Sequence, residues 1–140
     1  MTRPVVFDTW AWVEVLRGTP TGAELASRYL DNPLQQVWTA DISLVELAAA
    51  LHRDGVAPDK MREAVDAVVA RSSRILYPDT PDAVAAPFAR AALRLRRQDA
   101  SLADGLILAM ARNRGADIVT CDEAFVGEPD VVCPRPTSNP

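Results

Sequence analysis

The sequence predicts a three-layer α/β domain: a central parallel sheet of about five short strands, flanked by helices. Three observations carry that expectation. Short apolar runs alternate with stretches of helical periodicity along the chain, the pattern of β–α–β units around a parallel sheet. Punctuation falls between these stretches, with Gly18, Gly55 and Gly115 after helices and Pro58 and Pro81 at helix starts. The chain has 140 residues, the size of one domain with a real core, and no internal repeat divides it.

Taken in order, Val5-Val6-Phe7 reads as a buried strand set between Pro4 and a helix start. Thr9 can cap a helix from Trp10 to Arg17, with Trp12, Val13 and Leu16 on one face. Thr21 starts a second helix, ended by Asn32-Pro33. Val37-Trp38-Thr39 is a second strand, after which Asp41 or Ser43 opens a helix through Leu44 to His52. Pro58 leads into a helix over Met61–Arg71, and Arg74 to Tyr77 is a weak third strand. A long helix is expected from Pro81 to Arg97, where Pro87 predicts a kink or a split. Ser101 to Arg114 is a helix of almost unbroken apolar character. Asp117 to Thr120 is the clearest strand after the first, and Val131-Val132 is an edge strand. Residues 1–133 form the expected domain, and 134–140 an expected disordered tail.

Composition narrows the function. Apolar residues are 49% of the chain and charged residues 24%, a soluble globular balance. No apolar run reaches membrane-span length, and the start lacks a signal-peptide core, so a cytoplasmic protein without membrane contact is expected. Cys121 and Cys133 have no CxxC spacing and read as two small buried residues rather than a disulfide framework. A net charge of −4 argues against binding nucleic acid by bulk positive charge. It leaves room for a nucleic-acid enzyme whose acidic site is neutralised by metal. P-loop, GxGxxG and GxSxG patterns do not occur, so triphosphate, dinucleotide and serine-hydrolase readings lack a motif.

The acids carry the chemistry. Asp104 interrupts an apolar helix that holds no Lys or Arg before residue 112, and an ionised carboxylate there needs a partner from elsewhere. Parallel sheets bind ligands beyond the carboxyl ends of their strands. Asp8 and Asp122 lie just past such ends, and Glu46 lies on the helix after the second strand. Carboxylates gathered at one edge repel each other, and a cation relieves them. Hard oxygen donors select Mg²⁺ or Mn²⁺ over zinc, and the chain has a single histidine, His52. A structural reading stands beside this one. Ser43-x-x-Glu46, Ser101-x-x-Asp104 and Thr120-x-x-Glu123 all match capping boxes, while Asp8 and Asp122 suit local caps. Asp99 and Glu123 are reserve acids, Asp99 as a cap before the central helix. Arg94, Arg96 and Arg97 form a basic cluster that reads either as an RNA-phosphate contact or as a solvated helix face.

Four blocks, in order, resemble the PIN-domain family, and in particular the VapC-type ribonuclease toxins of toxin–antitoxin pairs. They are Val5-Val6-Phe7-Asp8-Thr9, Ser43-Leu44-Val45-Glu46-Leu47, the run from Leu102 to Ala111, and the run from Ile118 to Phe125. The resemblance implies a Mg²⁺- or Mn²⁺-dependent endoribonuclease acting on single-stranded or structured RNA. It implies that Asp8, Glu46, Asp104 and Asp122 are the acidic ligands, supported by Thr9 and Thr120. It implies a cognate antitoxin that blocks the site with an arginine or an apolar helix, and a homodimer formed through helices before position 72. Trp10 departs from the Ser or Asn common in the family; its ring either packs in the core or stacks on a base. Gly105 departs from the commoner Ala, at some cost in helix stability, and admits closer approach of a neighbour. A non-catalytic binding module with the acids as helix caps is the competing expectation.

Overall fold

In the computed structural model, residues 2–134 are described, and among them five strands form one wholly parallel sheet. The elements in order are β1 (Val5–Phe7), α1 (Thr9–Arg17), α2 (Pro20–Leu25), β2 (Val37–Ala40), α3 (Asp41–Arg53) and α4 (Pro58–Arg71). Then come β3 (Arg74–Leu76), α5 (Thr80–Arg94), α6 (Leu102–Asn113), β4 (Asp117–Val119) and β5 (Val131–Val132). The strand order is β3-β2-β1-β4-β5. This is the predicted parallel α/β architecture. Of the expected tail, residues 135–140 lie outside the described set; Pro134 is described and buried.

Alternation along each strand builds the three layers. Val5, Phe7, Val37 and Val119 pack with Trp12, Leu25, Leu47 and Val68 of α1 to α4. Val6, Trp38, Leu76 and Ile118 face the other way, against Leu93 of α5 and Ile107, Leu108 and Met110 of α6. Trp12 and Trp38 are both core residues, as expected. A buried polar chain ties the first layer to the sheet. Trp12 Nε1 donates to Thr39 Oγ1 at 3.0 Å, Thr39 lies 2.7 Å from Ser72 Oγ, and Ser72 donates to the Val68 carbonyl at 2.6 Å. Ser72's proton is thereby used, so Thr39 donates to Ser72 and each side chain of this polar chain has a partner.

The α5–α6 pair forms the second layer. An added Cβ at Gly105 would stand 2.5 Å from the Ala86 carbonyl oxygen and 2.8 Å from the Arg90 nitrogen. The glycine is therefore what lets the two helices touch backbone to backbone. At their far end the buried Asp82 accepts from Arg114 Nη1 and Nη2 at 2.9 and 2.8 Å and from Asn113 at 2.9 Å. Pro87 does not split α5 as expected. It lies on the solvent side, one turn after the exposed Ala83, where water can serve the carbonyl that proline leaves without a donor.

Other local expectations are corrected. α1 begins at Thr9, and its cap is Asp8 rather than Thr9. Thr19 caps α2 at Gly22, and the second helix widens into a π turn over Ala26–Leu30. α3 opens at Asp41 without a side-chain cap; Ser43 Oγ is buried without a hydrogen-bond partner, so the Ser43–Glu46 box does not form. Ser101, not Asp99, caps α6. The two cysteines are not separate buried residues: Cys121 and Cys133 form a disulfide across a Cα separation of 4.6 Å. They follow β4 and β5, which run side by side with Val119 opposite Val132. Spacing in the sequence does not reveal that neighbourhood; strand pairing does.

Candidate active site

β1 leads outward through β2 and β3, and the chain then returns over the other face through α5 and α6 to β4, on the far side of β1. The point where the order reverses lies between β1 and β4, where such sheets open a crevice for ligands. Asp8 leaves the end of β1 there, and Thr120 and Asp122 leave the end of β4.

Each side chain is held by a short local device. Asp8 is only 3% exposed; its Oδ1 accepts from the Ala11 nitrogen at 3.0 Å and its Oδ2 from Thr120 Oγ1 at 2.6 Å. Thr120 Oγ1 also accepts from the Asp122 nitrogen at 2.9 Å, and Asp122 Oδ1 accepts from the Ala124 nitrogen at 2.9 Å. Asp104 Oδ2 accepts from the Ser101 nitrogen at 2.8 Å while Ser101 Oγ accepts from the Asp104 nitrogen at 3.0 Å, a capping box. Glu46 projects from the second turn of α3 and is half-buried. All four acids, with Thr9, Trp10 and Phe125, line one open cleft of about 360 Å³.

The cleft is electrostatically unbalanced. Burial pushes the Asp8 carboxyl up to about 7 against the pull of the Thr120 and Ala11 hydrogen bonds, with Asp122 and Glu46 adding to the rise. Glu46 is raised as well, first by burial and then by Asp104, with Asp122 adding and the Thr9 hydroxyl opposing. Among the described residues none of the four forms an ion pair with Lys or Arg. The donor set fits a hard divalent cation in kind: four carboxylates, no imidazole, and cysteines tied in a disulfide. Its arrangement is open. Among the described residues no group of three or more His, Cys, Asp or Glu side chains forms a ready-made metal cage.

The reserve acids and the basic cluster stand apart from this cleft. Arg97 binds Asp99 at 3.0 Å and Glu123 at 2.7 Å, Arg96 pairs with Glu128, and Arg94 donates to the Ala100 carbonyl at 3.1 Å. None of these lines the cleft; Arg17 and Arg53 do. The sequence held a signal for Arg53. Glu46, Ala50 and Arg53 recur at i, i+4 and i+7, one face of α3. Trp10 likewise stands on the cleft wall, partly packed against the core.

A parallel sheet in this order, with an acidic cleft at its switch point, defines an α/β domain that gathers four carboxylates at one edge of its sheet. The PIN domain model matches residues 5–127, and the chain belongs to the PIN domain family. Its fold is similar to that of a toxin–antitoxin complex from Klebsiella pneumoniae, with TM-score 0.68, 19% identity, and coverage of 94% of this chain and 98% of that one. It is similar to DNA-bound VapBC from Salmonella typhimurium, with TM-score 0.70, 20% identity, and coverage of 93% and 96%. FitAcB from Neisseria gonorrhoeae is similar at TM-score 0.63 and 24% identity, over 86% and 90%. No curated protein sequence matches the chain significantly. Among the described residues no helix is long and apolar enough to cross a membrane.

Proposed function

We propose that this PIN domain is a Mg²⁺- or Mn²⁺-dependent endoribonuclease acting on single-stranded RNA, and the toxin of a toxin–antitoxin pair. The observation that carries the reading is the gathering of four carboxylates, none of them ion-paired with Lys or Arg among the described residues, in one cleft at the β1–β4 edge. Asp8, Asp104 and Asp122 would hold the cation, with Glu46 completing its shell or orienting the attacking water. The cation, when bound, activates water and steadies charge on the phosphate. Thr120 fixes the Asp8 carboxylate and the backbone of Asp122 together. Glu46, raised from its ordinary value, suits proton acceptance nearer neutral pH. Trp10 offers a ring on which a base can stack. The similar structures described as toxin–antitoxin and VapBC complexes support an antitoxin partner, which would block the cleft. A cytoplasmic homodimer completes the reading. Val45 on α3 and Val69 on α4, exposed apolar residues on the helices before position 72, would favour self-association there.

Cleavage of a mixed single-stranded RNA pool with Mg²⁺, with Mn²⁺ and with EDTA tests this, wild type beside Asp104→Asn. The expected result is metal-dependent cutting lost in the variant, whose amide can still accept from the Ser101 nitrogen and keep α6 capped. Equal cutting by both proteins, or cutting in EDTA, contradicts the assignment.

One observation favours a second reading, a non-catalytic binding module. Asp8, Asp104 and Asp122 each accept a backbone N–H as a cap or turn would require. Glu46 has no such task, since its predicted capping box is absent. Such a module cuts nothing and gains no stability from divalent cations.

A further inference from the structure

Beyond the four site acids, two arginines line the cleft, beside a fifth carboxylate, Glu14, that accepts from the Thr19 hydroxyl. They are Arg17 at the end of α1 and Arg53 at the end of α3, and both also line an adjoining recess of about 170 Å³. That recess is walled by Val13, Leu16, Leu47 and Leu51. Arg53 lies seven residues after Glu46 on α3, so roughly 10 Å separates them along the helix axis at about 1.5 Å per residue. Arg53 makes no hydrogen bond or ion pair among the described residues, although five acids share its cleft, Glu14 with the four of the site. Arg17 has one partner, Asp54 at 3.2 Å, in a pair whose side chains are 62% and 54% exposed, and exposed pairs of this kind hold weakly.

We propose that Arg53, assisted by Arg17, is an anion subsite that grips a phosphate of the RNA strand flanking the one held at the acids. The inference rests on the nuclease reading and names how its substrate is placed. A guanidinium matches a phosphate through paired N–H donors. The apolar recess beside it seats the base of the same nucleotide, so backbone charge and base surface meet neighbouring features, as a single strand requires. In a protein of net charge −4, attraction for RNA must be local. Here it comes from the two arginines of the cleft, and the strand is laid with one phosphate against the carboxylates.

The test is binding of a fluorescent single-stranded RNA to the Asp104→Asn protein across a salt series, alongside steady-state cleavage by proteins with Asp104 intact. Arg53→Ala is expected to weaken binding about tenfold and raise KM far more than it lowers kcat. It should also flatten the slope of log affinity against log salt by about 0.7, one phosphate contact on a single strand. Arg53→Lys recovers part of the affinity. Arg62→Ala removes the same charge from the outer side of α4, where Arg62 reaches only Asp66 at 3.7 Å, and leaves binding unchanged. Wild-type affinity and salt slope in both Arg53→Ala and the Arg17→Ala/Arg53→Ala protein, with wild type still cutting RNA, overturn the subsite and leave the nuclease reading standing. An equal loss in Arg62→Ala overturns it too, since bulk charge would then suffice. No binding or cutting by wild type with any metal overturns both.

Discussion

Thr120 Oγ1 donates a 2.6 Å hydrogen bond to Asp8 Oδ2, joining residues 112 apart in the chain. They meet because β1 and β4 are adjacent and in register, Phe7 opposite Val119. The same hydroxyl accepts from the Asp122 nitrogen at 2.9 Å. One threonine thus holds both strand-end acids of the cleft. Thr120→Val keeps the shape and removes both bonds, and is expected to cost about 1–3 kcal/mol and to depress RNA cleavage strongly. Thr120→Ser, which keeps the hydroxyl, should restore most of each. Denaturant unfolding and cleavage rates check the pair.

Asp8 makes stability depend on pH in an unusual direction for a carboxylate. Its folded value of about 7 stands above the ordinary 3.8, chiefly through burial. The folded state therefore favours the protonated form. That contribution is full below pH 4 and is lost as pH rises towards 7. Metal-free protein is expected to lose on the order of a few kcal/mol from this source between those limits. Asp8→Asn should flatten the profile, as urea unfolding in EDTA across the range would show.

Asp82 acts in the opposite sense. The Arg114 guanidinium, with the Asp79 and Asn113 donors, holds its carboxyl well below the usual carboxylate range against the desolvation of burial. Its contribution is present above the unfolded value near 4 and is lost as pH falls further. Arg114→Met strands a buried carboxylate between α5 and α6 and is expected to destabilise by on the order of 3 kcal/mol near neutral pH. Unfolding of this variant should show a smaller penalty at pH 3 than at pH 7.

Gly105→Ala sets two effects against each other. Alanine gains about 1 kcal/mol of helix propensity. Its Cβ, however, would press on the α5 backbone at Ala86 and Arg90, and backbone yields only if the whole helix moves. The clash is expected to win, for a net loss of about 1–3 kcal/mol, measurable by chemical denaturation.

What the sequence shows of this molecule follows from how local each feature is. Val5–Phe7 and Asp117–Val119 stand out because short apolar runs sit between clear turn and helix signals, and the acids after them inherit that clarity. Asp104 stands out because it interrupts an apolar helix. The Trp12–Thr39–Ser72 chain does not show, because it joins residues from three elements that only the folded sheet brings together. The Cys121–Cys133 bond is hidden for the same reason, resting on the β4–β5 pairing. Pro87 does not divide α5 because the carbonyl it leaves without a donor, that of Ala83, lies on the exposed side of the helix. Arg94, Arg96 and Arg97 attract notice by adjacency, yet α5 ends at Arg94, and beyond it Arg96 is tied to Glu128 and Arg97 to Asp99 and Glu123. Arg53, at the right helical spacing from Glu46, reaches the cleft instead.

The central claim is that the four acids form a cation site, and divalent-ion titration followed by thermal unfolding at pH 7.5 tests it most directly. Wild type is expected to gain about 2.7 kcal/mol at a Mn²⁺ concentration one hundred times its dissociation constant. Asp8→Asn and Asp104→Asn should gain far less. An unfolding temperature for wild type that ignores Mg²⁺ and Mn²⁺ through the millimolar range would contradict the account and leave the acids as caps.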